Sequence, residues 1–211
     1  MKVIATADLH GYLPEIEPCD LLLIAGDVCP IEGSHEVGDQ LAWLQRSFRP
    51  WLGAQPAAEI AWVAGNHDFG CEPEGFAEVA DEFPGHYLCG NAIAVQGKLI
   101  YGIPWTPDLP KWAFSAEAEA WPSIGEAIPT ETDILLMHSG PAGLGLDGGH
   151  PDWAAPKIGT EIRDRIKPEL CVFGHIHEGF GELDLDGTRF ANVAHTDDFF
   201  DPIHPPVCFE L

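Results

Sequence analysis

Short apolar runs recur along the chain and are separated by polar or glycine-rich stretches. Runs of this length, rich in Val, Ile, Leu and Ala, are typical of strands buried on both faces. We therefore predict buried strands at residues 3–5, 21–25, 60–64, 99–102, 134–137 and 170–173.

Segments with helical spacing lie between several of these runs. Residues 39–48 place Leu41, Leu44 and Phe48 on one face ahead of Pro50, and residues 73–83 and 160–167 show similar spacing. Near the end, residues 182–185 alternate, Asp186-Gly187 predicts a hairpin turn, and residues 188–194 can return as its partner. Strands that alternate with helices indicate an α/β layered fold, and we expect residues 1–211 to form a single domain.

Polar residues of a restricted kind follow five of the predicted strands. In α/β sheets, ligands collect at the carboxyl ends of strands, so these residues can converge on one crevice. A single Gly-Asp or His after a strand is an ordinary loop feature. Five strand ends whose polar residues are all Asp, Asn or His are not expected from loop chemistry alone. The five are Asp8-Leu9-His10, Gly26-Asp27, Gly65-Asn66-His67-Asp68, His138, and Gly174-His175-Ile176-His177.

The side chains in this set favour a particular kind of metal site. Carboxylate, carboxamide and imidazole suit first-row divalent ions such as Mn, Fe, Co, Ni or Zn, and the Asn66 amide favours the harder ones, so Mn is favoured. Seven donors, with His67 left aside, are too many for one tetrahedral zinc. They fit two divalent ions sharing a carboxylate, an arrangement in which a bridging hydroxide attacks phosphorus.

These five clusters, in this order, resemble the motifs of the calcineurin-like metallophosphoesterases. Further stretches resemble the small MPPED subfamily, the metallophosphoesterase domain-containing proteins, so the resemblance spans nearly the whole chain. They are Ile103-Pro104-Trp105-Thr106-Pro107, the residues from Phe173 to Gly181, and the chain end from Asn192 to Leu211. The resemblance implies two packed mixed β-sheets flanked by helices.

Carried over by motif, the resemblance also assigns roles at the site. It implies that Asp27 bridges the two ions. His67 is expected to face the leaving group as general acid or hydrogen-bond donor, with Asp68 either orienting His67 or capping the next turn. Asn66 and His67 are expected to contact substrate, and Trp105 either stacks on a base or packs in the core. One ion would be held by Asp8, His10, Asp27 and His177, and the other by Asp27, Asn66, His138 and His175.

Departures from the wider family narrow the expected substrate. The family's protein phosphatases carry Asp-Arg-Gly after the second motif and Glu after the third motif's His, whereas here Asp27 precedes Val28 and His67 precedes Asp68. Only five Arg are present to clamp a dianionic monoester, and none is in a motif. We therefore expect hydrolysis of small phosphodiesters, including cyclic nucleotides. The alternatives are a phosphomonoesterase, a nucleotide-binding regulator with negligible turnover, and a structural metalloprotein.

Composition limits the partners further. The formal net charge is −24, from 10 basic and 34 acidic residues, so the surface should repel duplex nucleic acid and anionic membranes. We expect a small anionic phosphoester as the partner. The apolar runs are too short for a membrane span, and no signal-peptide pattern follows Met1, so a cytoplasmic location is expected.

The other histidines and a tryptophan-rich segment leave open questions. His35 could reach substrate, whereas His86, His150, His195 and His204 are expected to be ordinary loop or strand residues. Residues 104–129 contain Trp105, Trp112 and Trp121 and form either a surface excursion with its own apolar cluster or a wall over the site.

Overall fold

The computed structural model describes residues 1–31, 35–107 and 109–211. Strands alternate with short helices along the first two thirds of the chain. The strands are β1 (Lys2–Thr6), β2 (Cys19–Ala25), β3 (Ala57–Val63), β4 (His86–Tyr87), β5 (Asn91–Val95), β6 (Lys98–Ile103), β7 (Thr106–Pro107), β8 (Ser115–Ala116), β9 (Ile134–Ser139), β10 (Leu170–Gly174), β11 (Gly181–Leu185), β12 (Thr188–Asn192) and β13 (Val207–Glu210). The α-helices are α1 (Val37–Trp43), α2 (Arg49–Ala54), α3 (Pro73–Phe76), α4 (Trp121–Ala127) and α5 (Ile158–Glu161).

The strands form two large mixed sheets. The first has the order β13-β1-β2-β3-β4, in which β1, β2 and β3 are parallel and β13 runs antiparallel to β1. The second has the order β11-β12-β10-β9-β6-β5, with β6, β9, β10 and β12 parallel and an antiparallel strand at each edge. Strands β7 and β8 form a small separate sheet. The expected two-sheet α/β architecture is confirmed.

Three apolar clusters hold these layers together. Alternate residues of the strands, such as Val3, Leu23, Leu136 and Val172, meet between the two sheets. The opposite face of the first sheet packs against the region of α1 and α2, and that of the second sheet against α4 and α5. Because both faces of each sheet are covered, the central strands read as continuous apolar runs in the sequence.

The predicted strands and the terminal hairpin are confirmed, but the helices differ in their limits. The predicted helix at residues 39–48 does not end at Pro50, because Pro50 lies in the first turn of α2, where no N–H is needed. Residues 73–83 form only α3 and a separate 3-10 turn (Ala80–Glu82). Helix α5 begins before Thr160, which therefore does not cap it, and continues as a π-helical turn (Ile162–Ile166).

Across the described residues, no helix combines the length and the apolar character that crossing a membrane requires.

Candidate metal centre

The carboxyl ends of strands from both sheets meet at one place, and backbone hydrogen bonds join them. The N–H of Asp8 donates to the carbonyl of Gly26, and the N–H of His10 donates to the carbonyl of Asp27, each at 2.9 Å. The chain beyond β12 crosses to the first sheet, where the N–H of Ala7 donates to the Val193 carbonyl at 3.0 Å. The donor-bearing strand ends are thus held together by the backbone.

Several of the predicted donors have a left-handed backbone. The φ angles are 52° at Asp8, 44° at His10, 52° at Asp27 and 69° at His175. This conformation costs a residue other than glycine about 1–2 kcal/mol and persists only where the surrounding structure imposes it. Its concentration at four donors indicates that the sheets impose particular side-chain directions at this site.

Glycines before the donors leave room for the side chains of neighbouring strands. A Cβ at Gly65 would clash with Asp27 Oδ1 and with the His138 ring, and one at Gly174 would clash with Asp8 Oδ2. At Gly26, a Cβ would lie 2.5 Å from His138 Nδ1. The prediction that these glycines permit close approach is confirmed.

The first group of donors lies where the ends of β1 and β2 face the turn after β10. The Nε2 atoms of His10 and His177 are 3.3 Å apart, and His177 Nε2 is 3.7 Å from Asp8 Oδ1. Asp27 Oδ2 lies 3.9 Å from His10 Nε2. The Nδ1 of His177 donates to the carbonyl of Asp197 at 2.7 Å, which leaves Nε2 free as a ligand.

The second group lies on the other side of Asp27. His138 Nε2 is 3.4 Å from Asp27 Oδ1 and 3.1 Å from Asn66 Oδ1. The ring of His175 lies with its centroid 5.1 Å from that of His138. His138 is fully buried inside β9, not beyond its end, because this strand extends two residues past the predicted limit. The two Asp27 oxygens therefore face donors of different groups.

The pKa values in the cluster are set by two opposing effects, burial of the charged groups and attraction between histidines and aspartates. Burial lowers the pKa of His10 to about 4 and that of His175 to about 3. Burial would also lower the pKa of His138 and His177, but neighbouring carboxylates outweigh it and raise each to about 9, chiefly Asp27 for His138 and Asp8 for His177. The same ion pairs outweigh burial at Asp8 and Asp27, so the pKa of each aspartate is lowered.

The donor set fits divalent metal ions. Ligand atoms of Asp8, His10 and His177 all lie within 4.8 Å of one another, and so do those of Asp8, Asp27 and His138. Within the described part of the chain, the buried His175 Nε2 has no hydrogen-bond partner. A buried nitrogen without a partner is costly in a protein, and an ion bound at this place would satisfy it.

His67 lies beside the donors, as the motif implies. Its Nε2 is 3.9 Å from Asp27 Oδ2, and its backbone N–H donates to Asp27 Oδ1 at 2.8 Å. Its side chain keeps 15% of its surface exposed, so it can contact a molecule in the crevice.

Asp68 has partners different from the expected ones. Its carboxylate accepts hydrogen bonds from the N–H groups of Val28, Cys29 and Gly65, at 2.8 to 3.2 Å. It neither caps the following turn nor bonds to the His67 ring, whose Nδ1 has no partner among the described residues. Burial, together with the nearby charge of Asp27, raises the pKa of Asp68 to about 6. Asp68 thus ties the turn after β2 to the turn after β3 and does not orient His67 directly.

A cavity of about 480 Å³ opens onto the donors. Trp105 does not line it, because its ring packs among core residues, and Trp121 is buried under the second sheet. Of the segment at residues 104–129, Leu109 and Trp112 form part of the wall. The described lining residues are Asp27, Asn66, His67, Leu109, Trp112, His150, Trp153, His175, Ile176, His177, Glu178, Asp198 and Phe200.

Several residues at the site were missed or misjudged from the sequence, and four of them show the reasons. His150 and Trp153 lie at the two ends of a short 3-10 turn that follows a glycine-rich stretch without periodicity, and Phe200 lies in the turn that bridges Thr196 and Pro202. The fourth, Gln40, is buried in α1, where its Nε2 donates to the His67 carbonyl and its Oε1 accepts from the N–H of Gly70, each at 2.7 Å. The only indication of this role in the sequence was that Gln40 is a polar residue inside a predicted amphipathic helix.

His35 is exposed but lies close to His67, with ring centroids 5.9 Å apart, and stacks on Phe69. Its expected reach towards substrate therefore stays a prediction. Residues 32–34, between His35 and the second motif, lie outside the described residues.

Comparison with known proteins gives a family for this arrangement. A family model described as calcineurin-like phosphoesterase matches residues 1–179. Metallophosphoesterase domain-containing protein 1 of Homo sapiens is 27% identical over an alignment that covers the whole chain and 71% of that protein. A UPF0046 protein of Caenorhabditis elegans (C25E10.12) is 26% identical over 96% of this chain and 76% of its own length.

Solved structures share the fold at low sequence identity. The crystal structure of phosphopantetheinyl hydrolase (PptH) from Mycobacterium tuberculosis superposes with a TM-score of 0.60 and 18% identity, over 92% of this chain and 88% of that one. The structure of TT1561 from Thermus thermophilus gives a TM-score of 0.58 and 15% identity, over 90% and 88% of the two chains. These matches agree with the two-sheet architecture.

Proposed function

Because this chain belongs to the calcineurin-like phosphoesterase family, we propose that it is a dinuclear metal-dependent enzyme that hydrolyses small phosphodiesters, cyclic nucleotides among them. Metal-dependent hydrolysis of phosphoesters follows from the family and from the donor set. The preference for diesters rests on one observation about the cavity. Among the described residues that line it, none is Lys or Arg.

The absence of Lys and Arg from the described lining favours a monoanionic substrate. A phosphomonoester is dianionic near pH 7, and proteins commonly bind it with bidentate arginines. Arg49 and Arg189 instead pair with Glu82 and Asp184, and Arg165 binds Glu161 together with two backbone carbonyls. A diester has one charge fewer to neutralise, so it depends less on such a clamp.

The proposed ligands follow the two donor groups. Asp8, His10, Asp27 and His177 would hold one ion, and Asp27, Asn66, His138 and His175 the other. When bound, two divalent ions supply a nucleophile at neutral pH and stabilise the charge that develops at phosphorus. Mn is the favoured ion because the set contains carboxylate and amide oxygens and no thiolate.

The chain's own residues contribute positioning and proton transfer. Hydrolysis adds one water across a P–O ester bond and yields a phosphomonoester and an alcohol. The departing alkoxide needs a proton, and the partly exposed His67 imidazole beside Asp27 is suited to donate it. Gln40 holds the His67 carbonyl, and Asp68 fixes the turn that carries both Asn66 and His67.

The test is hydrolysis of bis-p-nitrophenyl phosphate and of p-nitrophenyl phosphate by chelator-treated protein to which Mn²⁺ is added back. We expect a higher kcat/KM for the diester, and a loss of turnover in His67→Ala protein that keeps its fold by circular dichroism. Wild-type protein that cleaves the diester no faster than His67→Ala protein would overturn the proposal in favour of a binding protein. A higher kcat/KM for the monoester would overturn the diester preference.

A further inference from the structure

The lining of the cavity beside the donors contains both aromatic and acidic side chains. Trp112, Trp153 and Phe200 supply aromatic rings. Glu178 and Asp198, the carboxylates of the lining that are not proposed to bind metal, form its acidic part. A molecule bound here with its phosphate at the donors must place its remaining groups against aromatic rings and carboxylates.

Trp153 is exposed but held in place. Half of its surface is accessible, and one face of the indole stacks on the His150 imidazole, with centroids 4.4 Å apart and planes 10° from parallel. His150 Nε2 lies 3.3 Å from Glu178 Oε2, which links this ring pair to the acidic part. A large aromatic side chain that packs on a neighbouring ring and is still half exposed offers a surface for stacking.

The carboxyl groups of Glu178 and Asp198 lie within hydrogen-bonding distance of each other, close to the ligand His177. Glu178 is its neighbour in the 3-10 turn His177–Gly179. Asp198 follows Asp197, whose carbonyl accepts the hydrogen bond from His177 Nδ1 at 2.7 Å. The backbone beside both acids is therefore tied to the donors, and the negative charge of this pair acts on whatever lies just outside the reacting phosphate.

We propose, on the premise of the diesterase function above, that this cavity selects phosphodiesters that bear a flat ring and no second phosphate. Trp153 stacks on the ring, as aromatic side chains do on bases. Glu178 and Asp198 repel an additional phosphate, so that selectivity arises from an unfavourable contact as well as a favourable one. The substrate class is a cyclic mononucleotide with a free 5′-hydroxyl, or a diester of similar shape and charge.

Three substrates with the same reacting group test this inference. They are glycerol 1,2-cyclic phosphate, adenosine 2′,3′-cyclic phosphate and its 5′-phosphorylated counterpart, compared by kcat/KM with Mn²⁺-loaded protein at pH 8. We expect the wild type to favour the 5′-hydroxyl form over the 5′-phosphate by about tenfold or more. Trp153→Ala should lower kcat/KM about tenfold for adenosine 2′,3′-cyclic phosphate and less than twofold for the glycerol compound, as expected for loss of stacking. Trp153→Phe should restore most of the kcat/KM for adenosine 2′,3′-cyclic phosphate that Trp153→Ala loses.

The acidic part is tested with matched charge changes. The double variant Glu178→Gln, Asp198→Asn should reduce the discrimination against the 5′-phosphate at least fivefold. Glu182→Gln with Asp186→Asn, two exposed positions of the terminal hairpin, changes the net charge equally and should leave the ratio unchanged. Equal ratios for wild type and the cavity variant, or equal losses on all substrates for Trp153→Ala, would overturn the inference. Failure of the diesterase proposal itself is distinct, since wild type would then cleave none of the three.

Discussion

His138 and Asp27 are positioned by the same strand end. The Nε2 of His138 lies 3.4 Å from Asp27 Oδ1, and its Nδ1 is hydrogen-bonded at 2.8 Å to the carbonyl of Ala25, two residues before Asp27. That bond fixes the ring with Nδ1 protonated and directs Nε2 towards the carboxylate. The end of β2 thus sets both a carboxylate and the orientation of an imidazole from the other sheet.

The space around this pair predicts that Gly65→Ala abolishes metal binding. The new Cβ would clash with Asp27 Oδ1 and with the His138 ring, so these side chains would have to move. We expect Mn²⁺ bound after dialysis, measured by plasma mass spectrometry, to fall from about two ions per chain to less than one, with turnover lost. Gly38→Ala is the control because its Cβ meets nothing within 4 Å. Two retained ions in Gly65→Ala protein would contradict the proposed ligand arrangement.

The position of His67 outside the donor groups predicts that His67→Asn separates turnover from metal content. Loss of a general acid or hydrogen-bond donor typically lowers kcat by about 10²–10⁴-fold. Metal content should stay near the wild-type value, since this side chain is not a proposed ligand. Steady-state kinetics and metal analysis on the same preparation check both expectations. If the variant lost an ion along with its activity, His67 would have to be a ligand.

The three hydrogen bonds of Asp68 predict a stability defect in Asp68→Asn. The amide keeps one accepting oxygen and replaces the other with an NH2 donor, so the N–H of Cys29, or those of both Val28 and Gly65, would face a donor in place of an acceptor. Bonds to a charged acceptor contribute about 1.5–3 kcal/mol each and are not additive. We expect the free energy of unfolding in urea at pH 7.5 to fall by about 2–4 kcal/mol. The exposed Asp186→Asn should change it by less than about 0.5 kcal/mol.

The raised pKa values of His138 and His177 predict that metal affinity increases with pH. Each has a pKa of about 9 and binds metal only when Nε2 is deprotonated, so binding below pH 9 releases protons. The affinity for Mn²⁺ should rise about tenfold per pH unit for each proton released, from pH 6.5 to 8.5, and level off above 9. Calorimetric titration in buffers of different ionisation enthalpy counts the protons. An affinity independent of pH would exclude both histidines as ligands.

Much of the fold and donor set was predictable because both depend on local sequence. Buried parallel strands appear as apolar runs, and the residues after them must meet at one edge, so Asp8, Asp27 and Asn66 could be grouped from the sequence. The glycines before them were informative for the same reason. The structure brings all seven predicted donors together with His67.

The cavity wall was less predictable because it is built from segments without periodicity. Trp105 and Trp112 lie in the same stretch, and only the fold reveals that the first packs in the core and the second faces the site. Trp153 and Phe200 reach the cavity from loops far apart in sequence. The role of Asp68 depends on three backbone N–H groups whose directions no side-chain pattern records.

The left-handed backbone at Asp8, His10, Asp27 and His175 has a consequence for protein design. A site grafted as seven side chains onto ordinary turns of another sheet would point its carboxylates and imidazoles in the wrong directions. The smallest transferable unit is the set of five strand ends with their turns and glycines. A scaffold that accepts it must supply two facing sheets to hold the turns in that conformation.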